Sequence, residues 1–146
     1  MAYATQDDLV PLRMTEKDLT ELTDDDFSGE INAEIVTGAL ERASGIVDSY
    51  CRGRYATPLQ TSDQVVGLTL DIAVYLLFGR RRTQSVTETV QKNYDQAMQF
   101  LRDVSTLKAS LDQPSGAAPQ TSLAGPSISE KDRHLVFNER NLEGFV

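Results

Sequence analysis

The sequence predicts a mainly α-helical fold: a small bundle of three long helices, with short N-terminal helices before it and an extended C-terminal arm after it. Three observations carry that reading. Apolar residues recur at helical spacing from Glu30 to Tyr50 and again from Val86 to Leu111. Between them, Val65 to Phe78 is apolar nearly all round. Past Asp112 the texture turns to Pro, Gly, Ser and Ala. The 146 residues suffice for one domain with a modest core that needs neither disulfides nor metals. The expected organisation is a helical domain over 1–112 and an arm over 113–146.

Thr5 is placed to cap a short helix reaching Arg13, with Asp7 and Asp8 in the first turn, where the helix dipole favours acids. Pro11 limits that helix. Thr15-Glu16-Lys17-Asp18 is close to a capping box and opens a second short helix that closes at Leu22. Asp24, Asp25 and Asp26 then lead through Phe27-Ser28-Gly29 as a solvated turn. A calcium loop would need spaced ligands and a distal Glu, whereas a block of like charge stays hydrated.

In the first long helix, Ile31, Ile35, Ala39, Ala43, Ile46 and Tyr50 form the expected stripe, flanked by Val36, Leu40 and Val47. Gly38 and Gly45 weaken a helix by about 1 kcal/mol each against alanine, so close approach by another helix is expected there. Gly53 and Pro58 end the element. The next helix, over Val65–Phe78, carries Asp71 as its only charge and must be surrounded by protein on most sides. Gly79 and the run Arg80, Arg81, Arg82 close it, with cations at the end the dipole favours. In the third, Val90, Tyr94, Ala97, Leu101, Val104 and Leu111 make the inner stripe, with Phe100 and Leu107 added. Glu88, Gln91, Lys92, Asp95, Gln99, Arg102 and Asp103 face water.

Chemistry is sparse. His134 is the single histidine and lies in the arm with no nucleophile beside it. Cys51 cannot form an internal disulfide and reads as a core residue. No zinc spacing, phosphate-cradling glycine loop or paired carboxylates stand out. The expectation is therefore no enzyme, no catalytic or metal-ligating residue, and no cofactor. Asp71 needs a partner, because an unpaired buried carboxylate costs several kcal/mol. Arg54, or else Arg52, is the expected one. Arg80, Arg81 and Arg82 are expected to cap a helix end and to meet an acidic surface on a neighbouring copy.

The net charge of −8 is unevenly spread: residues 1–30 hold nine acids against two bases, while 31–113 are balanced. Phosphate binding needs clustered Lys and Arg, so tightly held DNA or RNA is not expected. No apolar run approaches the roughly 18 residues that cross a membrane, and the opening Met1–Asp8 lacks the pattern of a secretory signal. A cytosolic protein, or one assembled there, is expected. The arm's linker-like stretch leads to a strand-like Arg133-His134-Leu135-Val136-Phe137-Asn138 and an apolar end at Leu142-Glu143-Gly144-Phe145-Val146. Apolar residues ending a polar arm read as a docking peptide held in order by a partner surface, since ordering costs about 1–2 kcal/mol per residue.

Several fragments recur in a recognisable order. They are Tyr3-Ala4-Thr5 with Asp8-Leu9, Leu22-Thr23-Asp24, Ala39-Leu40 with Ala43-Ser44, and Gly53-Arg54-Tyr55 with Pro58-Leu59. Asp71-Ile72-Ala73 with Tyr75-Leu76, Arg81-Arg82, and the tail Val136-Phe137-Asn138-Glu139-Arg140-Asn141-Leu142-Glu143-Gly144-Phe145 complete the set. Together they resemble the Mu-like prophage proteins of the tailed-phage neck, the head-completion or head–tail adaptor group. Pro11-Leu12-Arg13 and Cys51 depart from that pattern.

The resemblance implies a homo-oligomeric ring of about twelve copies beneath the portal protein, a head-to-tail cyclic assembly. Its arm would dock on the portal through Arg133, Leu135, Val136, Phe137, Leu142 and Phe145, adding an edge strand. Arg54, Asp71, Arg80, Arg81 and Arg82 would be structural or intersubunit residues. Asp24, Asp25 and Asp26 would border a channel through which phage DNA passes unbound. A stopper or tail-terminator protein would sit below, placing the chain in the virion neck after assembly in the host cytoplasm, away from membranes. Two other readings stand beside it: a stopper or tail-completion protein of the same neck, and an acidic DNA mimic that inhibits a host protein. The mimic would want acids along one long face, and here they cluster in the first 30 residues.

Overall fold

A helix that is apolar all round must be enclosed, and α4 (Asp63–Arg80) is. It buries Val65, Leu68, Thr69, Leu70, Ile72, Ala73, Val74 and Leu77. In the computed structural model, which describes residues 1–10, 12–81 and 85–113, four other helices cover it or its neighbours. α3 (Ala33–Cys51) and α5 (Glu88–Ser105) pack on α4 and on each other, making a three-helix bundle. α1 (Gln6–Leu9) leans on α3, and α2 (Glu16–Thr23) on α4. The fold is mainly helical, as the sequence predicts.

Side-chain caps set the helix starts. The Thr5 hydroxyl and N–H both donate to Asp8 Oδ2, at 2.7 and 2.8 Å, and fix the first turn of α1. That helix stops at Leu9, short of the expected Arg13, as it runs up to Pro11. Thr15 and Asp18 form the capping box expected for α2. The helix closes one residue beyond Leu22, at Thr23, whose buried hydroxyl donates to the Leu19 carbonyl and accepts the Asn32 N–H at 3.2 Å. One side chain thus joins the end of α2 to the start of α3. Asn32 caps α3 through Glu34 and Ile35 N–H, placing its start three residues after Glu30.

The inward face of α3 differs from the expected stripe. Val36, Leu40, Ala43, Ser44, Val47 and Cys51 are buried, whereas Ile35, Ala39, Ile46 and Tyr50 are only half-buried. Both rows are apolar, so periodicity alone cannot choose between adjacent arcs of one helix. Packing chooses the arc that includes Ser44, because its hydroxyl accepts the Tyr3 N–H at 3.0 Å while donating to the Leu40 carbonyl. Gly38 and Gly45 consequently face outward. A Cβ added at either would meet nothing within 4 Å among the described residues, so no described helix approaches them closely. The expected close helix approach at those glycines is absent among the described residues.

The water-facing set on α5 is as predicted, with Glu88–Lys92 at 2.7 Å, Gln91–Asp95 at 3.0 Å and Gln99–Asp103 at 3.2 Å, each one turn apart. Ala97, Met98, Leu101 and Val104 face inward. Leu107 does not. The Lys108 N–H bonds the Asp103 carbonyl at 2.8 Å and the Leu107 N–H bonds that of Val104 at 3.2 Å, a Schellman turn. Leu107 takes its left-handed position at φ 66° and is 73% exposed. The turn ends the helical repeat, and the chain re-enters the core only at Leu111.

Leu101→Ala should cost about 2–5 kcal/mol, since it hollows a fully enclosed site. Leu107→Gly should stabilise the protein by about 1 kcal/mol by relieving the left-handed conformation. Urea denaturation of both variants checks the two signs.

Candidate functional site

Asp71 lies on the side of α4 that meets the α1–α2 connection, and its partner is Arg13. The Arg13 Nε donates to Asp71 Oδ1 at 2.7 Å, with the side chains 34% and 18% exposed. Neither Arg54 nor Arg52 takes that place. Arg54 instead donates to the Ala109 carbonyl and lies 5.3 Å from the centre of its neighbour's ring, Tyr55. The Tyr55 hydroxyl in turn accepts the Leu111 N–H at 3.0 Å. The turn after α3 therefore clamps the segment that follows α5, and Arg52 is exposed.

The arginines closing α4 find their acidic partner within their own chain. Arg80 grips Asp25 with both terminal nitrogens, one at 2.9 Å from Oδ1. Arg81 donates to the Asp24 carbonyl and lies 3.4 Å from Asp25 Oδ1. A neighbouring copy is not needed to neutralise them, because the α2–α3 turn folds back onto the end of α4. Arg82 lies outside the described residues.

Of the three acids expected beside a channel, two are thus engaged locally. The Asp24 carboxylate accepts the Gly29 N–H at 2.7 Å and the Ser28 N–H at 2.9 Å, and these bonds hold its pKa below the usual carboxylate value. Asp25 is paired with arginine, and Asp26 is exposed. The turn also holds Phe27 at φ 56°, 90% exposed. A bulky left-handed residue costs roughly 1–2 kcal/mol.

Tyr3 is a junction that the sequence reading did not single out. Its ring is buried, its hydroxyl donates to Asp48, and the same oxygen accepts the Leu59 N–H at 2.8 Å. It ties the N-terminal segment to α3 and to the α3–α4 connection. The only signal in the sequence is a tyrosine ahead of the first helix cap, which says nothing of partners 45 and 56 residues away. Burial first, and then the bond to Asp48, push its pKa up to about 12. Cys51 is fully buried, and burial followed by the Asp48 charge pushes its thiol up to about 11, which makes it an unreactive core residue.

Between α3 and α4 an open groove of about 360 Å³ runs along the outward glycine face. Ile35, Gly38 and Ala39 form one wall and Tyr75, Leu76 and Gly79 the other, with Arg42 and Arg80 also lining it. Tyr75 is braced from behind by Tyr94, their rings stacked 3.9 Å apart. Arg133, Leu135, Val136, Phe137, Leu142 and Phe145 of the expected docking arm lie outside the described residues.

A family model for bacteriophage Mu Gp36 matches residues 3–129, from the Tyr3 junction through every described helix. The chain belongs to the bacteriophage Mu Gp36 family. The Gp36 match also takes in the first part of the arm and ends before Arg133. It agrees with the Mu-like phage resemblance read from the sequence. No curated protein matches the chain.

Because the Arg13–Asp71 pair is only partly shielded, Asp71→Asn should cost about 1 kcal/mol rather than the several expected of a dry ion pair; thermal melting checks this. Tyr3 and Cys51 set the alkaline limb. Both bind their protons more tightly folded than unfolded, with ordinary values of 10.0 and 9.0. Their contribution is intact below about pH 9 and declines as pH rises to about 12. Urea midpoints against pH should fall in that window, and Tyr3→Phe should flatten the upper part while costing about 1–3 kcal/mol at neutral pH.

Proposed function

We propose that this Gp36-family chain is a structural head–tail connector of a tailed bacteriophage. In this reading it forms a ring below the portal, joins the DNA-filled capsid to the tail and lets DNA through. It works without catalysis, metal or cofactor. Family membership over 3–129 is the observation that carries the phage assignment. What supports an architectural role is the use of its polar groups. Asp24, Asp25, Asp48 and Asp71, with Arg13, Arg54, Arg80 and Arg81, hold helices and turns in place.

The same pairing weighs against the DNA-mimic alternative. A mimic needs a free rail of acids, and here the densest cluster is partly neutralised by Arg80 and Arg81. A stopper or tail-completion role in the same neck is the remaining alternative. It differs in the ring contacted rather than in the chemistry. The arm over 113–146 serves, in the proposed arrangement, as the portal-docking element, with Leu135, Phe137, Leu142 and Phe145 as anchors.

Size-exclusion chromatography with light scattering tests this, with the purified chain and its cognate portal. The truncation belongs after Gln113, whose side-chain amide bonds both the N–H and the carbonyl of Gln60 at 2.9 Å and so closes the helical domain. The full chain should form a ring-sized complex and the truncated chain should not. A full chain that ignores the portal defeats the connector reading.

A further inference from the structure

Two features of this chain are locally unfavourable, and among the described residues nothing covers the Phe27 ring or fills the space beside Gly38. Phe27 holds a left-handed backbone while its ring stands 90% exposed. Gly38 sits inside α3, where alanine would be preferred, yet a side chain there would meet no atom within 4 Å. One is an outward aromatic knob and the other is a missing side chain in an apolar groove. We propose that Phe27 of one copy seats in the α3–α4 groove of a second copy of this chain.

The turn that carries Phe27 is built to keep it out. Asp24 gathers the Ser28 and Gly29 N–H groups, and Arg80 with Arg81 pins Asp25, so the residues on both sides of the ring are fixed. An anchor already rigid in the free protein loses little freedom on docking. The receiving groove has the matching character. Its walls at Ile35, Ala39, Tyr75 and Leu76 are apolar, and its volume of about 360 Å³ accommodates a single aromatic ring.

Charge selects the occupant. Arg42 lines the groove and Asp26 immediately precedes the knob, whereas Arg80 and Asp25 are already paired with each other. Arg42 and Asp26 have no ion-pair partner among the described residues, and docking brings opposite charges together at the groove's edge. Arg80 holds its own Asp25 while walling its own groove, so each chain's knob stands beside that groove and outside it. Filling it with a second copy rests on the connector reading, which requires like copies to touch.

The test mixes two full-length preparations, one carrying only Phe27→Cys and the other only Gly38→Cys, under oxidising conditions. It is run with the free chain and again with portal added. Cys51 is buried and stays out of the reaction. A covalent pair joining positions 27 and 38 should form in the mixture at about tenfold or more the dimer yield of either preparation alone, a margin of about 1.4 kcal/mol. Asp26→Arg in the first preparation should reduce that yield, and Arg42→Asp in the second should restore it. Both substitutions are at exposed positions, so the folded chain survives them. No excess in the mixture, with or without portal, overturns the proposal. Portal binding is scored separately: lost cross-linking with portal binding intact defeats this contact alone, and the converse defeats the connector reading.

Discussion

Because α4 offers apolar side chains to every direction, no single neighbour can satisfy it, and the arrangement of the domain follows from that demand. α3 and α5 take two sides, and the N-terminal layer takes what remains. Two short helices could not hold such a position by burial alone, since α1 has four residues and α2 eight. Isolated helices of that size do not persist in water. They are retained because the layer is fastened at separated points: Tyr3 to Asp48 and Leu59, Arg13 to Asp71, Thr23 to Asn32, and Asp25 to Arg80. Each fastening couples a local cap or turn to the bundle, so the layer and α4 depend on each other.

This explains why a carboxylate in the middle of α4, beyond Asp63 in its first turn, is tolerated. Asp71 sits where the N-terminal layer crosses the helix, partly open to water, and Arg13 approaches from that layer. In an enclosed position the desolvation of both ions would outweigh their attraction. At the edge of the core the pair serves mainly to fix where the α1–α2 connection lies. The same logic holds at the far end, where Arg80 and Arg81 meet the backbone and side chains of the acidic turn rather than open solvent.

The three long helices, the enclosed character of α4, the Thr5 cap and the Thr15 capping box were legible because each is written within a span of a few turns. The choice of inward arc on α3 was not. Ile35–Ala39–Ile46 and Val36–Leu40–Val47 are equally apolar, and Ser44, a polar residue, marks the buried side through a bond to Tyr3 that no local pattern announces. Partners of Asp71, Arg54 and Arg80 were illegible for a related reason. They lie 55 to 58 residues apart in sequence, and composition ranks several arginines alike for one aspartate. Leu107 was misread because a leucine occupies the left-handed turn position that glycine usually signals. The groove was half-legible: Gly38 pointed to a close approach, and no described helix makes one.

The charge map also changes what the acidic segment can do in the proposed connector. Nine acids over residues 1–30 suggest a uniformly repulsive surface, but Asp25 is countered by arginines and Asp24 is gathered into a turn. Asp8 and Asp18 are occupied with helix caps. The exposed acids free of such duties include Asp7, Asp26 and Glu30. Repulsion between them and DNA is screened over about 8 Å at physiological salt, so only acids that close to a passing duplex would matter. A segment that repels through a few exposed carboxylates, while its densest cluster stiffens a turn, can border DNA and still serve as a rigid contact between subunits. The acidity of the N-terminal layer is therefore explained in part by structure, and in the proposed connector a channel role would fall to those exposed positions.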